Sequence, residues 1–345
     1  MLEHEPVSSV EAGPEQRVRP VGIVGLGSYL PEQVLTNQDL ERMVETSDEW
    51  IRTRTGIRER RILPPHLATS DMALEAGRRA LENAGVTPDE VDCVIVATVT
   101  PDTPFPGVAN RVQDRLGCKR AAAFDMNAAC PGFLYALTVG SQMVASGLYE
   151  TILVIGAEAL SRITDYQDRN TCVLFGDGAG AAVIRPVSKG RGLLSSVLGS
   201  DGSGADLLYQ AAGGSRLPAS AETVEKRQHY LYMNGSEVFK FAVRIMEEAS
   251  LEAIARANLT PEDVDFFVPH QANIRIIDSA RKRLGVDMDR VVVTLDLLGN
   301  TSSSSIPLAL DQAVRAGRIK DGDVVVAVAF GAGLTWAACV LCWGR

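Results

Sequence analysis

The chain repeats itself. Residues 84–95, AGVTPDEVDCVI, align without gaps against residues 257–268, ANLTPEDVDFFV, at an offset of 173 positions (84 to 257) in a chain of 345 residues. At the same offset NAACPGFLYAL (127–137) faces NTSSSSIPLAL (300–310). The two stretches then run on as VASGLYETILVIGAEA and VRAGRIKDGDVVVAVAFGAG, with a small change of register. Chance likeness between alanine-rich helices explains one such match; three in the same order point to duplication. Each unit reads as helix, Thr-Pro turn and strand, and short β-branched runs alternate with helical stretches throughout. This is the pattern of an α/β protein with mixed sheets covered by helices. Two halves, 21–190 and 191–345, are expected to pack on each other, with a site where the carboxyl ends of their strands meet.

The bulk properties narrow the function classes. A 46% hydrophobic chain of this length buries a substantial core. A net charge of -9 gives no global attraction to nucleic acid or anionic membrane, so any basic patch must be local. The apolar runs at 91–99 and 324–330 are too short to cross a bilayer and read as buried strands. Residues 1–20, polar and with three prolines, lack the basic start and apolar stretch of a secretory signal and read as a flexible tail. Six cysteines scattered through apolar segments suit reduced thiols, and hence a cytoplasmic protein. The Gly-, Ser- and Ala-rich stretch 199–229 is too long for a simple connection; it is either a flap near the site or a plain insertion.

Three residues stand out chemically. In FDMNAACPGF, Cys130 falls between a strand and a helix, with Pro131 suited to the first helical position and small Ala128 and Ala129 beside it. Backbone N–H groups and the helix dipole are expected to lower its thiol pKa there. The alternative, a buried structural cysteine, is assigned to Cys93, Cys118 and Cys172. His270, in VDFFVPHQAN, ends a strand where the first half has Ala97, while His4, His66 and His229 sit in polar or tail-like contexts. Asn300, in LDLLGNTSSSSIP, is expected to end a strand and open a helix, where it could also cap.

Other motifs are decoys. Gly22, Gly25 and Gly27 suggest a dinucleotide loop, but Leu30 replaces the third glycine of GxGxxG. Cys339 and Cys342 form a CxxC in a terminal strand without a second pair, which argues against zinc. Arg275, Arg281, Lys282 and Arg283 cluster on one helix just after His270, either as a solvated face or as a docking patch.

The segments TSDEWIRTRTGIRERR, NAACPGF, FGDGAGAAV, VPHQANIRIID and GNTSSSSIP, in this order, closely resemble the β-ketoacyl-[acyl-carrier-protein] synthase III family of the thiolase superfamily. The resemblance runs from about Val21 to the end. It implies a duplicated thiolase-like fold of five αβαβα layers and a catalytic triad of Cys130, His270 and Asn300. The implied reaction is a decarboxylating condensation that initiates type II fatty acid synthesis. Cys130 takes the acyl group of acetyl-CoA or a short branched acyl-CoA, with backbone N–H groups of Cys130 and Ala332 holding the oxyanion. His270 and Asn300 then bind the thioester carbonyl of malonyl-acyl-carrier protein. Alanine replaces a glycine of some relatives at position 332, which matters only if that position needs a positive φ.

The same resemblance implies no cofactor and no metal, acyl-CoA being a substrate. It implies CoA contacts from Thr46, Trp50, Arg54 and Arg169, and a homodimer in which Phe105 closes the partner's acyl pocket. Arg275, Arg281, Lys282 and Arg283 would receive the acidic carrier protein. Degradative thiolases are opposed by the absence of a cysteine in FGAGLTW, and elongating synthases by Asn300 where they carry a second histidine. The nearest alternative is a starter-unit ketosynthase or acyltransferase of secondary metabolism. A non-catalytic carrier-protein-binding partner is opposed by the complete triad.

Overall fold

In the computed structural model, which describes residues 18–345, the repeat recurs element by element. Strand β4 (Cys93–Ala97) and strand β11 (Phe266–Pro269) both follow a 3-10 turn, Pro88–Glu90 and Pro261–Asp263 respectively. Each turn is set by its sequence. Proline opens it with φ already fixed, and the carboxylate two residues on bonds back to the threonine N–H, Glu90 to Thr87 at 2.9 Å and Asp263 to Thr260 at 2.8 Å. Helices α5 (Gly132–Ala145) and α11 (Ser305–Arg315) likewise begin at the repeat offset.

The first sheet holds β1 (Val21–Tyr29), β4, β5 (Ala122–Met126), β6 (Ile152–Ala159) and β7 (Asp177–Pro186), in the order β1-β7-β6-β4-β5. The second holds β8 (Gly192–Ser200), β11, β12 (Val324–Gly331) and β13 (Thr335–Cys342), in the order β11-β12-β13-β8. Both are mixed: β4 runs parallel to β5 and β6, and β11 to β12, while the remaining pairs are antiparallel. Strands buried on both faces explain the unbroken apolar runs; every residue of β4 and β6 is buried.

Helices complete five layers. Helices α3 (Thr69–Ala84) and α4 (Val108–Leu116) cover the outer face of the first sheet. Helices α5 and α11 fill the space between the sheets, in a core that joins residues of both. Helices α8 (Gly235–Arg256) and α9 (Ile274–Arg283) cover the second sheet. The glycines of β1 serve this packing: a Cβ on Gly27 would lie 2.3 Å from the Ala76 carbonyl of α3. Smaller elements frame the site. They are the antiparallel pair β2 (Val34–Thr36) and β3 (Glu59–Arg61), the paired strands β9 (Leu208–Gln210) and β10 (Leu231–Met233), and the short helices α1 (Asn37–Glu41), α2 (Asp48–Thr55), α6 (Arg169–Cys172), α7 (Ala221–Glu225) and α10 (Leu295–Leu298).

Four expectations change. Residues 1–17 of the tail lie outside the described residues, but its end is anchored: Arg19 bonds Glu150 and the Val144 carbonyl, both at 2.6 Å. Stretch 199–229 is no plain insertion, since it carries β9 and α7 and lines the cavity that holds Cys130. Pro131 sits at the cap position, and Gly132 is the first helical residue. Most consequentially, no strand precedes Asn300. The counterpart of β5 shrinks to one bridge between Phe267 and Val291, because Gln271 Oε1 takes the N–H groups of Thr294 and Leu295, at 2.8 and 3.1 Å, and the chain turns into α10.

Candidate active site

Cys130 ends the loop between β5 and α5, at the floor of a cavity of about 480 Å³. Apolar side chains line it, among them Val99, Leu160, Ile163, Phe175, Leu208 and Leu231. Of the six cysteines only Cys130 lines this cavity. Its preceding residue, Ala129, is held at φ 51°, a strained conformation for a residue with a Cβ, and this turns the sulfur toward the hollow.

The expected lowering of the Cys130 pKa is not found. Burial pushes the thiol up to about 12, helped by the nearby Glu158 carboxyl; hydrogen bonds with Ser302 and with the residue's own N–H pull it down by less. Cys339 is raised to the same value, and Cys93, Cys118 and Cys172 to about 11. Access to the cavity, not acidity at rest, distinguishes Cys130.

His270 follows β11, fixed by its N–H to the Val328 carbonyl at 2.7 Å. Its Nδ1 is 2.7 Å from Ser305 Oγ, and its ring meets Phe330 edge-on at 5.5 Å. Burial pushes its pKa down to about 3, so the imidazole is neutral. Nε2 has no hydrogen-bond partner among the described residues, and the tautomer that accepts the Ser305 hydroxyl on Nδ1 carries its proton there. Asn300, 7% exposed, accepts the Ser302 N–H on Oδ1 at 2.9 Å, which leaves its amide nitrogen free to donate. Ser302 lies at φ 48°, lines the cavity beside Cys130 and gives its N–H to Asn300, so it links the cysteine to the asparagine. The Phe330–Gly331 step ties it to His270: a Cβ on Gly331 would lie 2.7 Å from the Cys130 nitrogen. Ala332, next along, lines the same cavity and lies outside the positive-φ region, so alanine is unstrained there.

The remaining predicted residues fall into separate groups. Trp50 lies under two guanidiniums, Arg54 at 5.5 Å and Arg169 at 5.0 Å from the ring centroid. Arg169 also bonds the Glu45 carbonyl at 3.1 Å, and beside it the buried Thr46 hydroxyl has no partner. A hollow of about 560 Å³, lined by Trp50, Leu174, Tyr232 and Asn234, leads from this cluster toward the Phe175 and Leu231 wall of the Cys130 cavity. Phe105 is 86% exposed and does not line the cavity of its own chain. On α9, Arg281 and Lys282 pair with Asp278 and Arg283 pairs with Glu247. Arg275 has no ion pair among the described residues and lies over the Phe239 ring at 5.4 Å. Sequence reasoning missed Glu158, Ser302 and Ser305. The run of four serines after Asn300 was the available signal, since polar residues at a strand–helix junction need partners.

No group of side chains suited to a metal ion occurs among the described residues, and no helix among them is long and apolar enough to cross a membrane. The CxxC thiols find separate partners, Thr138 for Cys339 and Arg191 for Cys342.

Two stacked α/β halves, with a cysteine lining an apolar cavity and linked through Ser302 to an asparagine and through the Phe330–Gly331 step to a neutral histidine, define a condensing acyltransferase of thiolase type. Residues 124–202 match the family described as 3-oxoacyl-[acyl-carrier-protein (ACP)] synthase III, and residues 254–343 its C-terminal part. The β-ketoacyl-[acyl-carrier-protein] synthase III of Symbiobacterium thermophilum is 63% identical over 95% of this chain and 100% of its own. The crystal structure of the corresponding synthase from Thermus thermophilus superposes with a TM-score of 0.88, at 55% identity over 94% of this chain and 99% of its own. The priming β-ketosynthase of the R1128 polyketide pathway, with the same TM-score, is 40% identical, over 96% of this chain and 98% of its own. The chain belongs to the β-ketoacyl-[acyl-carrier-protein] synthase III family.

Proposed function

We propose that the protein condenses an acyl-CoA primer, acetyl or short branched, with malonyl-acyl-carrier protein, giving β-ketoacyl-carrier protein, CoA and carbon dioxide. The observation that carries this reading is Cys130 in the wall of an apolar cavity that Ser302 also lines, with Asn300 bonded to the Ser302 N–H and the neutral His270 held by Ser305. Cys130 attacks the acyl-CoA thioester while the N–H groups of Cys130 and Ala332 hold the oxyanion. Malonyl thioester then replaces CoA, and its carbonyl accepts from His270 and Asn300. As carbon dioxide leaves, that carbonyl becomes an enolate oxygen, which a neutral donor pair stabilises without protonating. The carbanion attacks the acyl group on Cys130. A purified protein given acyl-CoA primers and malonyl-carrier protein releases carbon dioxide and forms β-ketoacyl-carrier protein; absence of a Cys130 adduct with every primer overturns the reading.

The same reading places CoA across Trp50, with Arg54, Arg169 and Thr46 around its adenine and phosphates. It takes 21–190 and 191–345 as the two functional halves, and makes the protein a cytoplasmic homodimer. Support for the dimer comes from β5, whose outer edge pairs with no strand among the described residues, and from the exposed Phe105. The carrier protein docks on α9. Arg281, Lys282 and Arg283 are already paired, so Arg275 carries most of the attraction, followed by Lys282, which remains 63% exposed despite its bond to Asp278. Replacing both with alanine raises the KM for malonyl-carrier protein severalfold and leaves that for acyl-CoA unchanged. The effect shrinks at high salt, because exposed charges are screened over about 10 Å at 0.1 M ionic strength. Equal changes for both substrates remove the carrier-protein assignment.

A further inference from the structure

Glu158 is fully buried at the carboxyl end of β6 and forms no ion pair among the described residues. Its carboxyl is instead ringed by donors. Thr98 Oγ1 lies at 3.2 Å, the Val99 N–H at 3.1 Å, Thr100 Oγ1 at 2.8 Å, Ser302 Oγ at 3.1 Å and Ser303 Oγ at 2.9 Å. The last two come from the segment that follows Asn300, and Ser302 lines the cavity beside Cys130; with its one O–H given to Glu158, its oxygen is left to accept from the thiol. A single hydroxyl proton thus sits between a carboxyl and the nucleophile.

We propose that Glu158 stores the Cys130 proton during acyl transfer, receiving it through the Ser302 hydroxyl. The thiol gives its proton to Ser302 Oγ as Ser302 gives its own to Glu158 Oε1, and the hydroxyl then donates to the new thiolate. The sulfur attacks the thioester carbon and the bond to CoA breaks; the departing CoA thiolate takes the Ser302 hydroxyl proton, and Glu158 gives its stored proton back to Ser302. Acyl-CoA and a thiol become an acyl-cysteine and CoA, with no net proton change.

Electrostatics favour this route. Forming a thiolate beside an ionised Glu158 would place two anions in one dry cluster, whereas moving the proton between them keeps one negative charge throughout. The titratable groups around Glu158 are Cys130 across Ser302, His270 beyond Ser305, and Asp177, which pairs with the next residue of β6 and is committed to Ser161 and Leu63. His270, with its pKa pushed down to about 3, is a poor acceptor. Burial raises that of Glu158, which makes it the better one.

The inference rests on the acyl-transfer reading, but its test does not. Alkylation of Cys130 by iodoacetamide, followed by mass spectrometry from acidic to alkaline pH, reads thiolate formation without CoA. At neutral pH Glu158→Gln and Ser302→Ala are each expected to slow alkylation about tenfold, the effect of one pKa unit at the sulfur. The deficit closes at alkaline pH, where solvent takes the proton, and Glu158→Asp restores part of the rate. A Glu158→Gln protein that alkylates faster, as expected if the carboxylate only repels the thiolate, overturns the proposal; so does a loss independent of pH. Should Glu158→Gln not fold, Ser302→Ala, which leaves Glu158 four donors, decides the question by the same two outcomes. In a parallel arm, wild-type protein that shows this alkylation profile and yet takes no label from acyl-CoA refutes the acyl-transfer reading alone.

Discussion

A Cys130→Ser protein is expected to take no label from radioactive acyl-CoA and to show no acyl adduct by intact-mass measurement. The hydroxyl occupies the same place at the cavity floor, so binding of CoA near Trp50 is preserved and the loss falls on chemistry. Burial already holds the native thiol up at about 12. An alcohol ionises far less readily than a thiol, and neither neighbour makes up the difference. His270 is neutral and weakly basic, and the Ser302 path to Glu158 would have to take its proton from an alcohol, which holds it far more tightly than a thiol does. Removing the attacking group of a site that works as a unit costs on the order of a million-fold in rate. Near-normal adduct formation on Cys130→Ser removes the nucleophile assignment.

The duplication made the architecture legible before any coordinate, because helix starts and turns keep their spacing when a unit is copied. Pro88 and Pro261, Gly132 and Ser305 and the first residues of β4 and β11 all fall at the repeat offset. Where the copies diverged, the sequence misled. The run VVVTLDLL has the composition of a strand, yet Gln271, distant in sequence, claims the backbone N–H groups that a strand would use. A side chain that replaces a β-ladder partner leaves no local trace.

The acidity of Cys130 was misjudged for a related reason. A helix N-terminus is visible in sequence and favours the thiolate, but the desolvation opposing it depends on residues hundreds of positions away. Glu158 escaped notice because ILVIGAEA reads as a buried strand, in which one carboxylate is out of place until Thr98, Thr100, Ser302 and Ser303 arrive from other segments. The Trp50 cluster, by contrast, is held partly by a local signal: Ser47 caps α2 and sets Trp50 and Arg54 one turn apart on the same face. The repeat also explains why the triad is split. His270 is the counterpart of Ala97 and Cys130 that of Ser303, so each copy supplies what the other lacks at one shared junction.

That division predicts separable half-reactions. In the proposed mechanism acyl transfer uses Cys130 and backbone donors, while decarboxylation uses the free N–H groups of His270 and Asn300. Asn300→Ala is therefore expected to leave labelling of Cys130 by acyl-CoA close to normal. Carbon dioxide release from malonyl-carrier protein should fall by on the order of a hundredfold, since one preorganised donor to a developing oxyanion is worth about 3 kcal/mol. The substitution also removes the acceptor of the Ser302 N–H, a bond whose loss costs about 1 kcal/mol of stability by analogy with helix caps. A thermal melt run in parallel confirms that the variant remains folded. Ser302 keeps its hydroxyl, so the tie to Cys130 and Glu158 survives, and this is why the first step is spared. Burst labelling beside carbon dioxide release separates the two. A folded Asn300→Ala protein that loses labelling while it still decarboxylates reverses the assigned roles, and one that keeps both rates removes Asn300 from the donor pair.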